Sequence, residues 1–161
     1  MLDSARRSTP FDRERLDEII ETHRGRAGAL LPILHDVQGE FGMVDDDAVP
    51  VIAAALNLSR ADVHGVLTFY HDFRRRPAGR TVVKVCAAEA CQAAGGRALQ
   101  AAAERLLGVP MKGTTGDGAA TLEPVYCLGL CSVAPAAMVD GRVHGRLTAE
   151  RLETIVEEAM R

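Results

Sequence analysis

Four cysteines are the residues of this sequence whose type and spacing could do chemistry. They form two pairs, Cys86-x4-Cys91 and Cys127-x3-Cys131, and 35 residues separate one pair from the other. Four thiolates that meet at one site can hold either a tetrahedral zinc ion or an iron–sulfur cluster. The first half of the chain has no cysteine, so any such chemistry belongs to the second half.

Each cysteine pair directly follows a predicted strand. Residues 81–85 are a short β-branched run, and residues 121–126 form a second strand candidate. The helix predicted between them makes the two strands parallel neighbours, because a parallel pair needs a crossover connection. Parallel strands end at the same side of a sheet, where open α/β sheets usually place their ligands. The sequence therefore predicts one site that contains all four sulfur atoms.

The spacing also bears on which group the site would hold. One zinc ion needs all four sulfurs at about 2.3 Å, whereas a 2Fe–2S cluster is longer and takes two thiolates on each iron. Two pairs on separate loops favour the cluster, and Gly129 and the Gly95-Gly96 pair would let the backbone approach it closely. A zinc-stabilised interaction module and a thiol oxidoreductase remain alternatives, although the second would normally show Cys-x-x-Cys at a helix start.

The other elements of the second half complete a β-α-β-β-β-α order. A helix follows Gly95-Gly96, and Pro124 indicates that the second strand lies at an edge of the sheet. Two short strands flank a tight turn at Asp140-Gly141, and Thr148 is a good cap for the last helix. The fold class predicted for this half is thus mixed α and β.

The first half has apolar residues at helical spacing, which predicts four short helices in a small bundle. The first helix is predicted to start at Thr9 and Pro10, and the second to end at Gly39 and Gly42. Asp45 is the predicted cap of the third helix, and a capping box of Ser59 and Asp62 is predicted to start the fourth. Phe69 and Tyr70 are expected to pack inside this bundle. The basic run 74–76 before Pro-Ala-Gly indicates a solvated linker, or a docking surface for an acidic partner. It divides the chain into domains 1–77 and 78–161.

Composition and charge exclude several classes of function. The chain has 161 residues, with 19 basic and 22 acidic side chains and a net charge of -3, which gives no basic face for nucleic acid. No apolar run is long enough for membrane insertion, and the first residues do not resemble a secretion signal. We therefore expect a cytoplasmic protein, in which the cysteines serve as metal ligands or redox groups rather than as a structural disulfide framework.

No further cofactor site is predicted on the chain. The five histidines lack ligand-like spacing to the cysteines, so we expect them to be ordinary core or surface residues. A Gly-rich phosphate loop after a strand is absent, so neither FMN nor NAD is assigned here. The sequence also contains no arrangement of catalytic side chains that would make or break substrate bonds.

Several segments of the chain resemble the 24-kDa subunit family of NADH dehydrogenase. The similar segments are LPILHDVQGEFGMV, LTFYHDF, VKVCAAEACQAAGG and VYCLGLCSVAPAAMV. Members of this family occur in respiratory complex I, NAD-linked hydrogenases and NAD-dependent formate dehydrogenases. The resemblance implies that one 2Fe–2S cluster is held by Cys86, Cys91, Cys127 and Cys131 in a thioredoxin-like domain. It also implies that an N-terminal helical bundle, used for subunit docking, precedes this domain in the chain.

The resemblance also implies partners and a role. A larger subunit would bind FMN and NAD, another iron–sulfur subunit would oxidise the substrate, and this chain would only transfer electrons. The loop CAAEACQAAGG looks most like the gamma subunit of NAD-dependent formate dehydrogenase, whose molybdenum cofactor would lie on a partner. The equivalent subunit of a hydrogenase diaphorase or of complex I is the alternative. Lys84 and Arg97 could offset the charge of the reduced cluster, although we expect them to be ordinary solvated side chains, and Glu89 would disfavour reduction if it were close and ionised.

Overall fold

The computed structural model describes residues 11–161, which fall into two compact units, residues 11–77 and residues 78–161. Each unit is described by itself. Thr9 and Pro10, the predicted start of the first helix, lie outside the described residues. Among residues 11–161 no helix is both long enough and apolar enough to cross a membrane.

The unit formed by residues 11–77 contains four helices. They are α1 (Arg13–Thr22), α2 (Leu30–Phe41), α3 (Ala48–Leu56) and α4 (Arg60–Phe69). All four contribute apolar side chains to one core, in which Leu16, Ile33, Leu34, Ile52 and Val63 are completely buried. Because each helix buries one face against the others, these short helices are stabilised mainly by packing.

The helix ends show which boundary predictions are correct. α1 begins after Asp12, whose carboxylate accepts hydrogen bonds from the N–H groups of the first turn. The predicted capping box at the start of α4 is complete. The Ser59 hydroxyl accepts the N–H of Asp62, and the Asp62 carboxylate accepts the N–H of Ser59. Gly39 does not end α2 but lies within it, whereas Gly42 takes the left-handed conformation just after the helix, with φ of +78°. A glycine ends a helix only where the backbone takes the left-handed conformation, and a glycine such as Gly39 can also lie inside a helix.

Two other predictions for this unit are wrong. Asp45 is not the cap of α3 but lies in the turn before it, where its carboxylate accepts the N–H of Asp47 at 2.9 Å. Phe69 and Tyr70 do not pack inside the bundle, since they are 73% and 43% exposed. Their rings stack edge to face, with centroids 5.0 Å apart, on the surface at the end of α4.

The basic run 74–76 is tied to the helices of its own unit. The Arg75 guanidinium donates to both carboxylate oxygens of Asp46, at 2.6 and 2.7 Å. The side-chain amide of Gln38 accepts the N–H of Arg74 at 2.6 Å and donates to the carbonyl of Asp72 at 2.8 Å. The segment therefore has fixed contacts with α2 and with the turn before α3, which a freely solvated linker would lack.

The unit formed by residues 78–161 contains a four-stranded sheet, three α-helices and one 3-10 turn. The strands are β1 (Thr81–Cys86), β2 (Ala120–Val125), β3 (Ala137–Val139) and β4 (Arg142–His144). The helices are α5 (Glu89–Ala93), α6 (Gly96–Leu107) and α7 (Ala149–Met160), together with a single 3-10 turn at Cys131–Val133. Apart from the five-residue helix α5 and the 3-10 turn, this is the predicted β-α-β-β-β-α order.

The sheet has the order β2-β1-β3-β4. β1 and β2 are parallel, with Thr81 opposite Ala120 and Cys86 opposite Val125. β3 is antiparallel to β1 and forms a hairpin with β4 through the turn at Asp140 and Gly141, both of which have positive φ. β2 is an edge strand, which is where the proline at position 124 was expected to lie.

One core holds the sheet against α6 and α7. Val83 and Val85 of β1 are completely buried. They pack in one cluster with Leu99 of α6 and with Leu152 and Val156 of α7. Because β1 is fixed on both sides by neighbouring strands and on one face by helices, its last residue, Cys86, emerges at a defined place.

Candidate metal centre

The structure brings the four cysteines together beyond the carboxyl ends of β1 and β2. Cys86 is the last residue of β1, and Cys91 lies inside α5. Cys127 comes two residues after the end of β2, and Cys131 begins the 3-10 turn. The parallel register sets Cys86 opposite Val125, so the two cysteine loops leave the sheet side by side.

The thiols are arranged as two pairs, and all four are free. The sulfur atoms of Cys127 and Cys131 are 3.8 Å apart. The thiols of Cys86 and Cys91 lie in one buried cluster and are close enough to change each other's pKa. Each sequence pair is thus also a pair in space, and the charge of Cys86 acts on both Cys91 and Cys131.

The two pairs differ in their access to solvent. Cys86 and Cys91 are each only 2% exposed and lie in a small apolar cluster with Ala136. Cys127 and Cys131 are exposed. One end of the candidate centre is therefore enclosed by protein, and the other end lies at the molecular surface.

Backbone N–H groups near the sulfur atoms act on the acidity of the thiols. Those of Ala88, Cys127 and Leu128 lower the pKa of the Cys86 thiol, and that of Ala136 lowers the pKa of the Cys91 thiol. The loop after β2 therefore influences a sulfur on the loop after β1. Hydrogen bonds from N–H groups favour the anionic form of sulfur, which is the form that binds metal.

An unusual backbone conformation accompanies these contacts. Cys127 has φ of +90°, which is uncommon for a residue with a side chain, and Gly129 has φ of +76°. The N–H of Gly129 donates to the sulfur of Cys127 at 3.4 Å. A Cβ added to Gly129 would meet nothing within 4 Å. Gly129 is thus favoured for its conformation, and its predicted close approach to a cluster stays a prediction.

The thiols differ in acidity because of these surroundings. Burial raises the pKa of the Cys86 thiol, but the N–H donors and the Cys91 thiol outweigh it and leave that pKa below its ordinary value. Burial and the neighbouring Cys86 raise the pKa of the Cys91 thiol. The hydrogen bond to Cys127 and its charge raise the pKa of the Cys131 thiol. Four sulfurs this close repel one another as thiolates, so full ionisation requires a bound cation.

Gly96 allows α6 to pack directly against the loop that carries the buried pair. A Cβ at this position would lie 2.6 Å from the carbonyl oxygen of Cys91 and 2.8 Å from its carbonyl carbon. The carbonyl oxygen of Cys86 would be 3.5 Å away. The close approach seen at Gly96 is to the protein backbone of the cysteine loop, and the positions of Cys86 and Cys91 depend on it. The approach of Gly95 and Gly96 to a cluster stays a prediction.

The charged residues near the site have more specific contacts than their sequence positions suggested. Lys84 forms an ion pair with Glu123 across β1 and β2 at 3.6 Å. Arg97 donates from Nε to the side-chain oxygen of Gln92 at 3.1 Å, and Gln92 donates to the carbonyl of Ala87 at 2.6 Å. Sequence reasoning assigned no such role to Gln92, because a side-chain hydrogen bond to a loop carbonyl leaves no periodic signal.

The donor set fits a cluster with two metal ions. Within residues 11–161, no three Cys, His, Asp or Glu side chains are placed to hold one metal ion. A 2Fe–2S cluster takes two thiolates on each iron, and the site offers two pairs of free thiols, with an N–H donor on the Cys127 sulfur. His23, the buried histidine of the described residues, lies in the other unit and contacts Asp36 and Arg26.

Comparison with known proteins gives consistent results. The family model for thioredoxin-like 2Fe-2S ferredoxins matches residues 16–160. One of the subunits of NADH-quinone oxidoreductase from Pseudomonas aeruginosa is 34% identical over 146 residues, covering 91% of this chain and 88% of that protein. The corresponding subunit from Escherichia coli K12 is 36% identical with the same coverage.

A solved structure is also similar. One chain of an NAD+-reducing NiFe hydrogenase in its air-oxidised state superposes with a TM-score of 0.70 and 26% sequence identity. The match covers 85% of this chain but only 24% of the hydrogenase chain. The present chain thus spans about a quarter of the length of the hydrogenase chain that it matches.

Proposed function

We infer, for a chain that belongs to the thioredoxin-like 2Fe-2S ferredoxin family, that it transfers single electrons within an NAD-linked oxidoreductase complex. The cofactor of this family is one 2Fe–2S cluster. We assign its ligands as Cys86, Cys91, Cys127 and Cys131. The observation that carries the assignment is the presence of four free thiols, in two pairs, where two parallel strands end.

The residues of the chain have distinct tasks in this proposal. When bound, the cluster takes up and releases one electron. Cys86 and Cys91 would hold the group from the enclosed side of the site, and Cys127 and Cys131 would hold it from the exposed side. The backbone N–H groups that lower the pKa of the Cys86 thiol favour its anionic form, which is the form that binds metal. No side chain is assigned a step that makes or breaks a substrate bond.

The proposed partners follow from the relatives. The curated proteins are named as subunits of NADH-quinone oxidoreductase, and the similar structure is an NAD+-reducing hydrogenase. We therefore propose an equivalent subunit of a complex of one of these two kinds, paired with a larger subunit that binds FMN and NAD. Residues 1–77 would serve as the docking bundle and residues 78–161 as the cluster domain. The cytoplasmic location expected from the sequence stays a prediction.

A formate dehydrogenase complex is the second candidate. It rests on the residues between and after the first two cysteines, including Glu89 and Gln92, and the relatives described above favour the other two kinds of complex. The complex should be purified through a tag on this chain and its subunits identified. Turnover of NADH with quinone, of hydrogen with NAD+, and of formate with NAD+ then separates the three candidates. Activity with formate alone would contradict the preferred assignment.

The cluster assignment has its own test. The chain is purified without oxygen, its iron and acid-labile sulfide are counted, and its EPR spectrum is recorded after reduction with dithionite. We expect two irons, two sulfides and a one-electron signal for each chain. Stoichiometric zinc without iron would contradict the assignment and support the interaction module. Disulfide turnover by iron-free protein would support the thiol oxidoreductase instead.

A further inference from the structure

Two neighbouring rows of side chains lie on the face of the sheet that points away from α6 and α7. Val83 and Val85 of β1 pack in one core with those two helices. Because side chains alternate along a strand, Lys84 and Cys86 point to the opposite face. The charged side chain and the buried cysteine therefore share one face of the sheet, two residues apart on β1.

The first row contains the buried cysteine. Cys86 is opposite Val125 on β2, and its backbone N–H donates to the carbonyl of Ala136 at 3.0 Å. Cys86 and Ala136 belong to one buried cluster, against which Val125 packs. These contacts agree with the alternation along the strands and place the three side chains together on this face.

The second row lies two residues earlier on β1. Lys84 is opposite Glu123 on β2 and Met138 on β3. Nζ of Lys84 and Oε2 of Glu123 are 3.6 Å apart. Because two residues of a strand span about 6.6 Å, this ion pair lies one row away from the buried cysteine.

The ion pair is largely withdrawn from water. The side chains of Lys84 and Glu123 are only 16% and 22% exposed. In the pair between Arg75 and Asp46, by contrast, the side chains are 43% and 67% exposed. Charges that are partly removed from solvent are screened less by water and by salt. Both charges of the Lys84–Glu123 pair therefore act on their surroundings over a longer distance than surface charges do.

We propose that Lys84 and Glu123 together set how readily the site accepts an electron, since the ammonium favours the reduced state and the carboxylate opposes it. This inference rests on the proposed function. Uptake of one electron adds one negative charge to the site and neither makes nor breaks a bond. A unit charge on the order of 10 Å away, in an effective dielectric of about 20, changes the equilibrium constant for this step on the order of tenfold. As the two charges lie side by side, their effects largely cancel in the wild type.

Two simpler roles predict different behaviour. If the ion pair only joined β1 to β2, loss of either partner would lower the stability and would not shift the potential in opposite directions. If any change of net charge had the same effect, removal of an exposed charge elsewhere on the unit would serve as well. The proposal instead requires shifts of opposite sign for Lys84 and Glu123, at unchanged iron content.

The test is a redox titration of the full chain without oxygen at pH 8, with dithionite as the electron donor and EPR as the readout. The variants are Lys84→Met, Glu123→Gln, the double variant and Lys84→Arg. Arg105→Met on α6 and Glu153→Gln on α7 remove one exposed positive and one exposed negative charge, and they serve as matched controls. Iron content and chemical unfolding are measured for every variant, so that a structural effect is seen separately.

We expect Lys84→Met to lower the equilibrium constant for reduction on the order of tenfold, which corresponds to about 59 mV for one electron. Glu123→Gln should raise it by a similar factor. The double variant should return to within about twofold of the wild type, because the row is again without net charge. Lys84→Arg keeps the positive charge and should also stay within about twofold. Both controls should change the constant by less than about twofold, since exposed charges are screened.

Shifts of the same sign in the two single variants, or the lack of a shift in either, would overturn the proposal. Shifts in the controls as large as those at Lys84 and Glu123 would overturn it as well. If Lys84→Met does not assemble the site, the sign of the Glu123→Gln shift decides. Wild-type protein that holds two irons without these shifts in its variants contradicts the role of the ion pair alone, whereas wild-type protein without two irons contradicts the proposed function and this inference with it.

Discussion

Replacing Gly96 by alanine should damage the enclosed half of the site. The new Cβ would lie 2.6 Å from the Cys91 carbonyl oxygen, whereas ordinary contact begins at 3.4 Å. The first turn of α6 or the Cys91 loop must therefore move by several tenths of an ångström. Both are backbone segments, so no flexible side chain can absorb the change.

The expected free-energy change is a balance of two terms. Overpacking of a well-packed site costs about 1–3 kcal/mol. Alanine is preferred over glycine inside a helix by roughly 0.5–1 kcal/mol, but Gly96 is only the first residue of α6. The overpacking term therefore wins, and we expect a net destabilisation of about 1–2 kcal/mol with faster loss of iron, because Cys91 moves with the loop.

The assay compares three variants with the wild type by chemical unfolding and by the rate of iron release to a chelator. Gly39→Ala in α2 and Gly65→Ala in α4 are matched controls, because a Cβ at either helical glycine would meet nothing within 4 Å. Both controls should be stabilised by roughly 0.5–1 kcal/mol and release iron at the wild-type rate. Gly96→Ala protein with wild-type stability and wild-type iron release would refute the packing argument.

Three further predictions concern other parts of the chain. Gly129→Ala should cost about 1–2 kcal/mol through backbone strain at φ of +76°, without a steric clash, and an unchanged unfolding midpoint would contradict this. Ser59→Ala removes a hydrogen bond of the capping box and should destabilise the helical unit by about 1 kcal/mol in chemical unfolding, whereas Thr68→Ala, inside the same helix, should have a smaller effect. Burial and then the charges of Arg151 and Arg142 lower the pKa of His144, so its contribution to stability is present above the unfolded value of about 6.5 and is lost as the pH falls through the folded value. Between about pH 7 and pH 5 the wild type should therefore lose more unfolding free energy than His144→Gln, and a constant difference would argue against the lowered pKa.

The placement of the cysteine loops could be predicted from the sequence because it depends on rules of connection. A strand, a helix and a second strand give a parallel pair, and residues that follow parallel strands lie at the same end of the sheet. The capping box of Ser59 and Asp62 could be predicted because its signal is local and complete within four residues. In both cases no knowledge of distant contacts was required.

Other features depend on contacts that the sequence does not reveal. The helix α5 has only five residues, too few for a helical period to be detected. Phe69 and Tyr70 are apolar enough to suggest burial. Apolar side chains are nevertheless common at protein surfaces, so residue type alone does not show whether a given side chain is buried. Gln92 could not be distinguished from a solvated glutamine until Ala87 and Arg97 were seen on either side of its amide.

The unequal exposure of the two thiol pairs also determines which thiols should oxidise first in air. In iron-free protein, an oxidant reaches Cys127 and Cys131 before it reaches the enclosed pair. Their sulfurs are 3.8 Å apart, so we expect the two thiols to give up two electrons and two protons to the oxidant and form a disulfide. Repair then requires a thiol reductant before iron is offered, and reconstitution attempted in the opposite order should fail.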